Sequence, residues 1–254
     1  LGLLALPAWA GSSQSGARSA HAGRRMIGTF TPRLEILPPA QQLLWTAFRP
    51  APQMGFVLYG GTAIALRLGH RASVDFDFFT DQPLNRSALS ASFPFLRQAT
   101  LLQDTPDSFT ALVPPSTPND QHVKVSFFGT LSFGRVGEPD VTADGVLQVA
   151  ALDDLMATKL KVILQRIEAK DYQDIAALLR AGISLSHGLA GARALYGPAF
   201  QPSESLKALV YFEGGDLHRL TQEERALLIA TASSVRALPS VDIRSHALAL
   251  SAPA

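Results

Sequence analysis

Apolar and polar positions follow two different patterns along this chain, and the pattern changes near residue 150. Before that point, short apolar runs stand between Gly, Pro, Asn and Asp residues, which is typical of buried strands. We predict strands over residues 56–59, 74–79, 109–113, 122–128 and 146–149. Two short helices are predicted among them, one over residues 40–48 after a Pro-Pro pair and one over residues 62–68. Thr62 is the expected N-cap of the second helix.

The apolar positions after residue 150 recur at helical spacing. Helices are predicted over residues 152–167, 172–180, 186–196, 203–212 and 223–235. The predicted fold class is therefore α+β, with a mixed sheet followed by a helical C-terminal domain. We expect an α/β domain over residues 26–150, a helical domain over residues 151–238 and a frayed tail over residues 239–254.

The first 25 residues are set apart from this pattern. Residues 1–10 are apolar like a secretion signal, but they lack an initiating Met and a basic leader, and about 10 residues cannot span a bilayer. Residues 11–25 are rich in Ser, Gly and Ala. We expect residues 1–25 to be a disordered extension and the natural product to start at or near Met26.

Composition narrows the class of protein. Of 254 residues, 47% are hydrophobic, which is enough for a sizeable core, and no apolar run is long enough to cross a bilayer. The formal charge of +1 gives no global attraction for a polyanion and leaves a local basic patch open. The absence of Cys excludes disulfides, thiolate metal sites and a Cys nucleophile. We expect a cytoplasmic protein that does not associate with membranes.

Two carboxylates stand out on the strand predicted over residues 74–79. Side chains alternate along a strand, so Asp75 and Asp77 should share one face, while Val74, Phe76 and Phe78 occupy the other. Such a pair suits Mg²⁺ or Mn²⁺, which take oxygen ligands from one or two carboxylates together with phosphate oxygens. Taken alone, an Asp-x-Asp sequence is more often a turn or a solvated strand end than a metal site.

A glycine pair precedes these carboxylates by a short helix. Gly60 and Gly61 lack a Cβ, so their backbone can approach a triphosphate closely and offer N–H groups, and Thr62 adds a hydroxyl. Gly-Gly by itself usually marks only tight packing. Arg67, His70 and Arg71 follow near the end of the helix, where they meet phosphate or, in the interpretation we favour, complement the helix dipole.

Together, these features resemble the signature of nucleotidyltransferases of the DNA polymerase β type. That signature is Gly-[Gly/Ser]-[Ser/Thr] followed about a dozen residues later by Asp-x-Asp, and Gly60-Gly61-Thr62 and Asp75-Phe76-Asp77 match it. The resemblance implies a polymerase-β-type core and an enzyme that moves a nucleoside monophosphate from a nucleoside triphosphate (NTP) to an acceptor.

A second resemblance narrows the family. Residues 152–166 and 170–175 resemble the lysine helix and the Lys-Asp-x-x-Asp segment of the AbiEii/AbiGii toxin family, and the similarity spans residues 55–179. It implies catalytic roles for Asp75, Asp77, Lys159 and Asp174, with the first two binding metal. The residues that it implies for nucleotide binding are Gly60, Gly61, Thr62, Ser73 and Arg166. It further implies the toxin of a toxin–antitoxin or phage-defence pair, with tRNA, other RNA or protein as acceptor and an antitoxin as a possible partner.

The helix predicted over residues 152–167 gives an independent reason to single out Lys159. At helical spacing, Lys159 and Arg166 fall inside the apolar stripe of Leu152, Leu155, Met156, Ile163 and Ile167, and Lys161 falls on the opposite face. A charged group on a buried face must reach an anion or extend to water. Lys159 therefore contacts the nucleotide, extends to solvent or forms a structural ion pair with Asp171 or Asp174.

One departure from the fold's usual pattern concerns a third carboxylate on a neighbouring strand. The strand predicted over residues 122–128 offers Lys124 and Ser126 there, and His122 is interpreted as structural or exposed. Asp174 or another acid completes the site, or one ion suffices, or catalysis is impaired. Two other functions also stay open: a small-molecule nucleotidyltransferase, which should lack a basic acceptor cleft, and a non-catalytic nucleotide-binding module.

Overall fold

A mixed sheet of eight strands organises the first part of the molecule. In the computed structural model, which describes residues 28–115 and 121–250, the sheet order is β1-β7-β8-β2-β3-β6-β5-β4. The strands are β1 Thr29–Phe30, β2 Val57–Tyr59, β3 Asp75–Phe79, β4 Thr100–Thr105, β5 Ser108–Val113, β6 Val123–Phe128, β7 Asp140–Thr142 and β8 Gln148–Val149. The central strand β3 pairs antiparallel with β2 and parallel with β6.

One face of β3 is buried in an aromatic cluster. Phe76 and Phe78 are fully buried, and Phe48 lies 4.5 Å from the Phe76 ring and 5.0 Å from the Phe78 ring, measured between centroids. Burying rings of this size anchors the strand firmly. The predicted alternation is thus confirmed for Phe76 and Phe78. It is wrong for Val74, which precedes the strand and is 48% exposed.

Helices surround the sheet and make up most of the C-terminal part. They are α1 Pro39–Leu44, α2 Gly60–Leu68, α3 Arg86–Ser92, α4 Leu152–Val162, α5 Ala169–Arg180, α6 Leu185–Tyr196, α7 Pro202–Leu209 and α8 Gln222–Ser234. Short 3-10 turns lie between several of them, and one of these, Trp45–Phe48, extends α1. The predicted α+β class is confirmed, and apolar residues of the sheet and of α4 to α6 form one continuous core.

Several predicted helix boundaries are wrong by two or more residues, and two of them concern candidate site residues. Helix α2 begins at Gly60 rather than after Thr62, so Thr62 is a buried residue of its first turn and not its cap. Helix α4 ends at Val162 rather than at residue 167, because the chain turns back there into α5. Arg166 lies in that turn, and Ile167, expected in the apolar stripe, is 48% exposed.

The last part of the described chain packs against the sheet region. Leu248 is fully buried, and its backbone N–H donates to Asp81 Oδ1 at 3.1 Å. The backbone N–H of Arg135 donates to the Ser245 carbonyl at 2.8 Å, and that of Leu250 donates to Gln148 Oε1 at 2.8 Å. Residues 244–250 are therefore packed, and fraying stays a prediction for the mostly exposed residues 239–243. The sequence pattern does not predict this packing, because most of the contacts above are made by backbone N–H groups.

Two further expectations concern the ends of the chain and membranes. The extension expected over residues 1–25, with a start near Met26, lies outside the described residues. Across the described ranges, the helices are too short or too polar to pass through a bilayer.

Candidate active site

A cavity of about 570 Å³ lies where the β2–β3–β6 part of the sheet meets α4. Seven charged side chains are among those that line it. Two are the carboxylates of Asp75 and Asp77, and five are the cations of Arg71, Lys124, Lys159, Arg166 and Lys170. A pocket with this excess of cations over carboxylates attracts polyanions such as a triphosphate. The cavity wall thus carries more cations than carboxylates, and four of the five cations pair with Asp171, Asp174 or Glu168 behind the wall.

Asp75 and Asp77 lie side by side on the wall formed by β3. Their backbone partners on β6 are Lys124 and Ser126, in that order. Burial raises the pKa of Asp77, and the neighbouring Asp75 raises it further, while Lys124 and Ser126 act in the opposite direction. The raised pKa means that the ionised form of Asp77 is disfavoured beside Asp75, and a bound cation would stabilise that ionised form.

The glycine pair brings the start of α2 against this acidic wall. Gly60 has a φ of +75°, which few other residues adopt without strain, and a Cβ there would lie 2.7 Å from Asp77 Oδ2. A Cβ on Gly61 would lie 2.5 Å from the Arg71 guanidinium. Both glycines line the cavity, so the first turn of α2 faces Asp77 and Arg71 with backbone alone.

Hydrogen bonds of Thr62 and Ser73 connect the start of α2 to β3. The Thr62 hydroxyl is buried, lies 2.9 Å from Ser73 Oγ and donates to the backbone carbonyl of Asp75. Ser73 is among the residues that line the cavity, and Thr62 is not. Of the two predicted hydroxyls, only Ser73 is thus on the cavity wall, and Thr62 ties α2 to β3.

A chain of buried ion pairs forms the opposite side of the cavity. The ammonium of Lys159 lies 2.6 Å from Asp171 Oδ1 and 2.6 Å from Asp174 Oδ2, and its side chain is only 6% exposed. The Arg166 guanidinium binds both oxygens of Asp171, at 2.8 and 3.0 Å. Lys159 is therefore buried as the helical spacing predicted, and its ion pairs with Asp171 and Asp174 are both formed.

Asp174 also binds Arg71 and His70, which follow α2. Arg71 binds both of its oxygens, at 2.8 and 2.9 Å, and His70 Nε2 lies 2.7 Å from Oδ1. Although burial opposes it, Lys159, His70 and Arg71 hold the pKa of Asp174 well below its ordinary range. Both oxygens are thus engaged by cations, and Asp174 is not on the cavity wall. The geometry does not support Asp174 as a third carboxylate for a metal.

The three basic residues at the end of α2 all have acidic partners. Arg67 lies in the last turn of α2, as the dipole interpretation requires, and it also binds Asp140 at 2.7 Å and the carbonyls of Val149 and Ala150, away from the cavity. His70 and Arg71 follow the helix and bind Asp174, and Arg71 also reaches the cavity wall.

The donor set fits one hard divalent ion. Asp75 and Asp77 present carboxylate oxygens to one cavity, and Mg²⁺ commonly takes one or two carboxylates and completes its shell with phosphate oxygens and water. Within the described ranges, no group of three or more His, Cys, Asp or Glu side chains is placed to hold a metal. The expected Mg²⁺ or Mn²⁺ would therefore depend on phosphate oxygens for the rest of its shell.

A second cavity, of about 440 Å³, continues the first along the helical side. The two share Gln165 and Arg166, and the second is also lined by Ile167, Lys207 and Tyr211. Tyr211 is 63% exposed. Glu204 also lines this cavity and pairs with Lys207 at 2.9 Å, so the wall carries two cations and one carboxylate beside an exposed aromatic ring. Cations and exposed rings are the groups that bind single-stranded nucleic acid. We call this second cavity the side groove.

Sequence reasoning assigned no catalytic or binding role to two residues that the structure places in or beside the site. Lys124 lines the cavity 3.3 Å from Asp75 Oδ2, and Asp171 holds Lys159 and Arg166 together. Asp171 was one of two expected ion-pair partners of Lys159, and its bond to Arg166 was not expected. The strand pattern placed Lys124 at the position where the fold usually has a third carboxylate. Only the register of β3 against β6 brings it next to Asp75.

Comparison with known proteins agrees with this architecture. The family model described as nucleotidyl transferase AbiEii toxin, type IV TA system, matches residues 42–242. An uncharacterized protein of Aquifex aeolicus is 32% identical over 127 residues, which are 49% of this chain and 58% of that protein. The chain thus spans little more than half the length of the curated relative that it matches.

Solved structures resemble the fold at low sequence identity. The nucleotidyltransferase toxin MenT4 of Mycobacterium tuberculosis aligns at 12% identity and a TM-score of 0.50, covering 77% of this chain and 83% of that one. A nucleotidyltransferase-like protein of Paracoccidioides brasiliensis aligns at 14% identity and a TM-score of 0.49, covering 79% and 96%. At such identities, the likeness to MenT4 concerns the fold alone.

Proposed function

Because the chain belongs to the AbiEii family of nucleotidyl transferase toxins, we propose that it transfers a nucleoside monophosphate from an NTP to an RNA acceptor. The observation that carries the proposal is the cavity itself, in which Asp75 and Asp77 face the cations Lys124, Lys159 and Arg166. A triphosphate needs both kinds of group, carboxylates for its metal and cations for its phosphate oxygens.

Each group of residues in the cavity has a separate role in the proposed reaction. The backbone of Gly60 and Gly61, with the Ser73 hydroxyl, approaches the phosphates closely, and Arg71 and Arg166 bind their oxygens. Asp75 and Asp77 would hold Mg²⁺ or Mn²⁺, whose charge neutralises the phosphate oxygens during transfer. Asp174 is a positioning residue, since it reaches the substrate only through Lys159 and Arg71.

In the reaction, an acceptor hydroxyl oxygen bonds to the α-phosphorus while the bond from that phosphorus to the bridging oxygen of the β-phosphate breaks. Pyrophosphate leaves, and the acceptor proton passes to solvent. Lys159 is near the developing negative charge but already binds Asp171 and Asp174, so its contribution is a fixed positive field rather than a proton.

The side groove supports RNA rather than a small molecule as acceptor. It shares Arg166 with the main cavity, and Lys207 and the exposed Tyr211 ring line its far end. Bases stack on exposed aromatic rings and phosphates bind cations, so a strand end lying there would reach the α-phosphate. The proposal places the reaction in the cytoplasm, with an antitoxin as the genetic or physical partner that its family implies.

Labelled nucleotides test this proposal. The full chain is incubated with Mg²⁺, total RNA and each NTP in turn, radiolabelled at either the α- or the γ-phosphate. We expect α-label in RNA and γ-label in released pyrophosphate, for at least one NTP. Label on protein would move the acceptor to a polypeptide, label on an added aminoglycoside would favour the small-molecule alternative, and binding without release of pyrophosphate would favour the non-catalytic module.

A further inference from the structure

The position that would supply a third carboxylate in this fold holds an ammonium instead. Lys124 on β6 is the backbone partner of Asp75 on β3, and its Nζ lies 3.3 Å from Asp75 Oδ2. The next residue on the same face, Ser126, stands opposite Asp77. The strand beside the two metal-binding candidates therefore brings a positive charge and a hydroxyl to the cavity, and no acid.

Lys124 differs from the other cations of the cavity in its partner. Lys159 and Arg166 are held by Asp171, Arg71 is held by Asp174, and Lys170 lies 2.8 Å from Glu168. These four cations thus have carboxylates outside the candidate metal site. Lys124 pairs with Asp75 itself, and with 40% of its side chain exposed it is free to move toward a ligand.

We propose that Lys124 replaces a second divalent ion, so that this site takes a single metal and completes its positive charge with the Lys124 ammonium. The inference rests on the proposed function for its purpose, since phosphoryl transfer needs charge on both the attacking and leaving sides. Asp75 and Asp77 supply enough carboxylate for one divalent ion, which completes its shell with phosphate oxygens and water. A second ion would need the carboxylate that Lys124 replaces on β6.

The inference also explains why Lys124 is tolerated next to a metal ligand. Before the nucleotide binds, the Lys124 ammonium pairs with Asp75 and offsets its negative charge. When an ion and a triphosphate enter, the flexible lysine can shift to the phosphate oxygens and leave Asp75 to the metal. Lys124 should therefore weaken binding of the metal alone and strengthen binding of the metal together with the nucleotide.

Metal binding to the full chain tests this without relying on transfer. Mn²⁺ is titrated into the protein and free Mn²⁺ is measured by electron paramagnetic resonance, first alone and then with a non-hydrolysable NTP analogue. The parent should bind one Mn²⁺ per chain in both conditions. Lys124→Met should bind Mn²⁺ alone at least about tenfold more tightly, because a like charge next to the ligand is removed. Its melting temperature checks that it is folded.

Lys170→Met is the matched control, because Lys170 lines the same cavity but pairs with Glu168. It should leave the Mn²⁺ affinity within about twofold of the parent, because Glu168 already offsets the charge of Lys170. Two Mn²⁺ ions in the parent would overturn the proposal, as would equal gains for Lys124→Met and Lys170→Met. These outcomes are independent of whether RNA is the acceptor, so failure of the inference and failure of the proposed function are distinguishable.

Discussion

Lys159 and Asp174 form a closed ion pair, 2.6 Å from Nζ to Oδ2, on the side of the cavity opposite Asp75 and Asp77. This pair joins α4 to α5 and, through Arg71, to the chain that enters β3. The same contacts that fix the folded structure therefore place cations at the site. A substitution here should change stability and activity together, which the sequence pattern alone could not establish.

Lys159→Ala should lower the free energy of unfolding markedly. It leaves Asp171 and Asp174 buried with one partner fewer, and breaking a buried ion pair costs on the order of 3–5 kcal/mol. Lys207→Ala is the control, since Lys207 is largely exposed and its ion pair with Glu204 lies at the surface. It should cost about 0.5 kcal/mol or less. Urea unfolding compares the two, and equal values would show that the pairs of Lys159 contribute nothing to stability.

Lys161 is not a suitable control in that experiment. It lies on the other face of α4, as predicted, but its Nζ donates to the Ala199 carbonyl at 3.0 Å. Its ammonium thus contacts the turn after α6 and lies 6.0 Å from the centroid of the Tyr196 ring.

The pH dependence of stability should contain a contribution from Asp154. Burial raises the pKa of this carboxyl to about 6, against the N–H donors of Val136 and Gly137, which lower it. Between pH 4 and 6 the folded state then holds a proton that the unfolded state has lost, so stability falls as pH rises through this range. Raising the pKa of Asp154 from 3.8 to about 6 corresponds to roughly 3 kcal/mol of unfolding free energy.

Unfolding of the parent and of Asp154→Asn, measured from pH 4 to 7, checks this contribution. The variant should lack that part of the decline, although its stability is lower throughout because an amide cannot accept from both N–H groups. Asp174 has a lowered pKa, so its stabilising effect is lost only below about pH 4 and does not overlap. Parallel curves for parent and variant would contradict the prediction.

The packed tail gives a third prediction. Leu248→Ala should cost about 2–4 kcal/mol of unfolding free energy, as for other buried leucines. Leu238→Ala changes a partly exposed leucine just before the tail, and it should cost under about 1 kcal/mol. Thermal unfolding of both variants provides the measurement. If they lost stability equally, the tail would not be held at Leu248.

Tyr211 tests the side groove as an acceptor surface. Tyr211→Ala should raise the KM for RNA about tenfold, because a stacked base contributes roughly 1–3 kcal/mol, and it should leave the KM for the NTP unchanged. Tyr211→Phe retains the ring and should match the parent. A steady-state analysis with each substrate varied in turn separates the two constants. An unchanged KM for RNA in Tyr211→Ala would place the acceptor elsewhere.

Much of this fold follows from local patterns, and the exceptions have physical causes. The alternation of Asp75 to Phe78 and the spacing of α4 to α8 predicted the central strand and the helical half, because burial on one face imposes those periods. Strand β4 lies at the sheet edge with all six residues exposed, so it has no such period. The family resemblance predicted the site residues, but it could not show that Asp174 is fully engaged by Lys159, His70 and Arg71.

The central claim is that Asp75 and Asp77 serve nucleotide transfer. The most direct measurement is the initial rate of pyrophosphate release with the preferred NTP, Mg²⁺ and RNA, compared for the parent, Asp75→Asn, Asp77→Asn and the exposed-site control Asp242→Asn. Both site variants should lose at least about 10²-fold in rate while keeping their melting temperature, since these carboxylates bind charge rather than core. Asp242→Asn should match the parent. Near-parental rates in either site variant would contradict the claim.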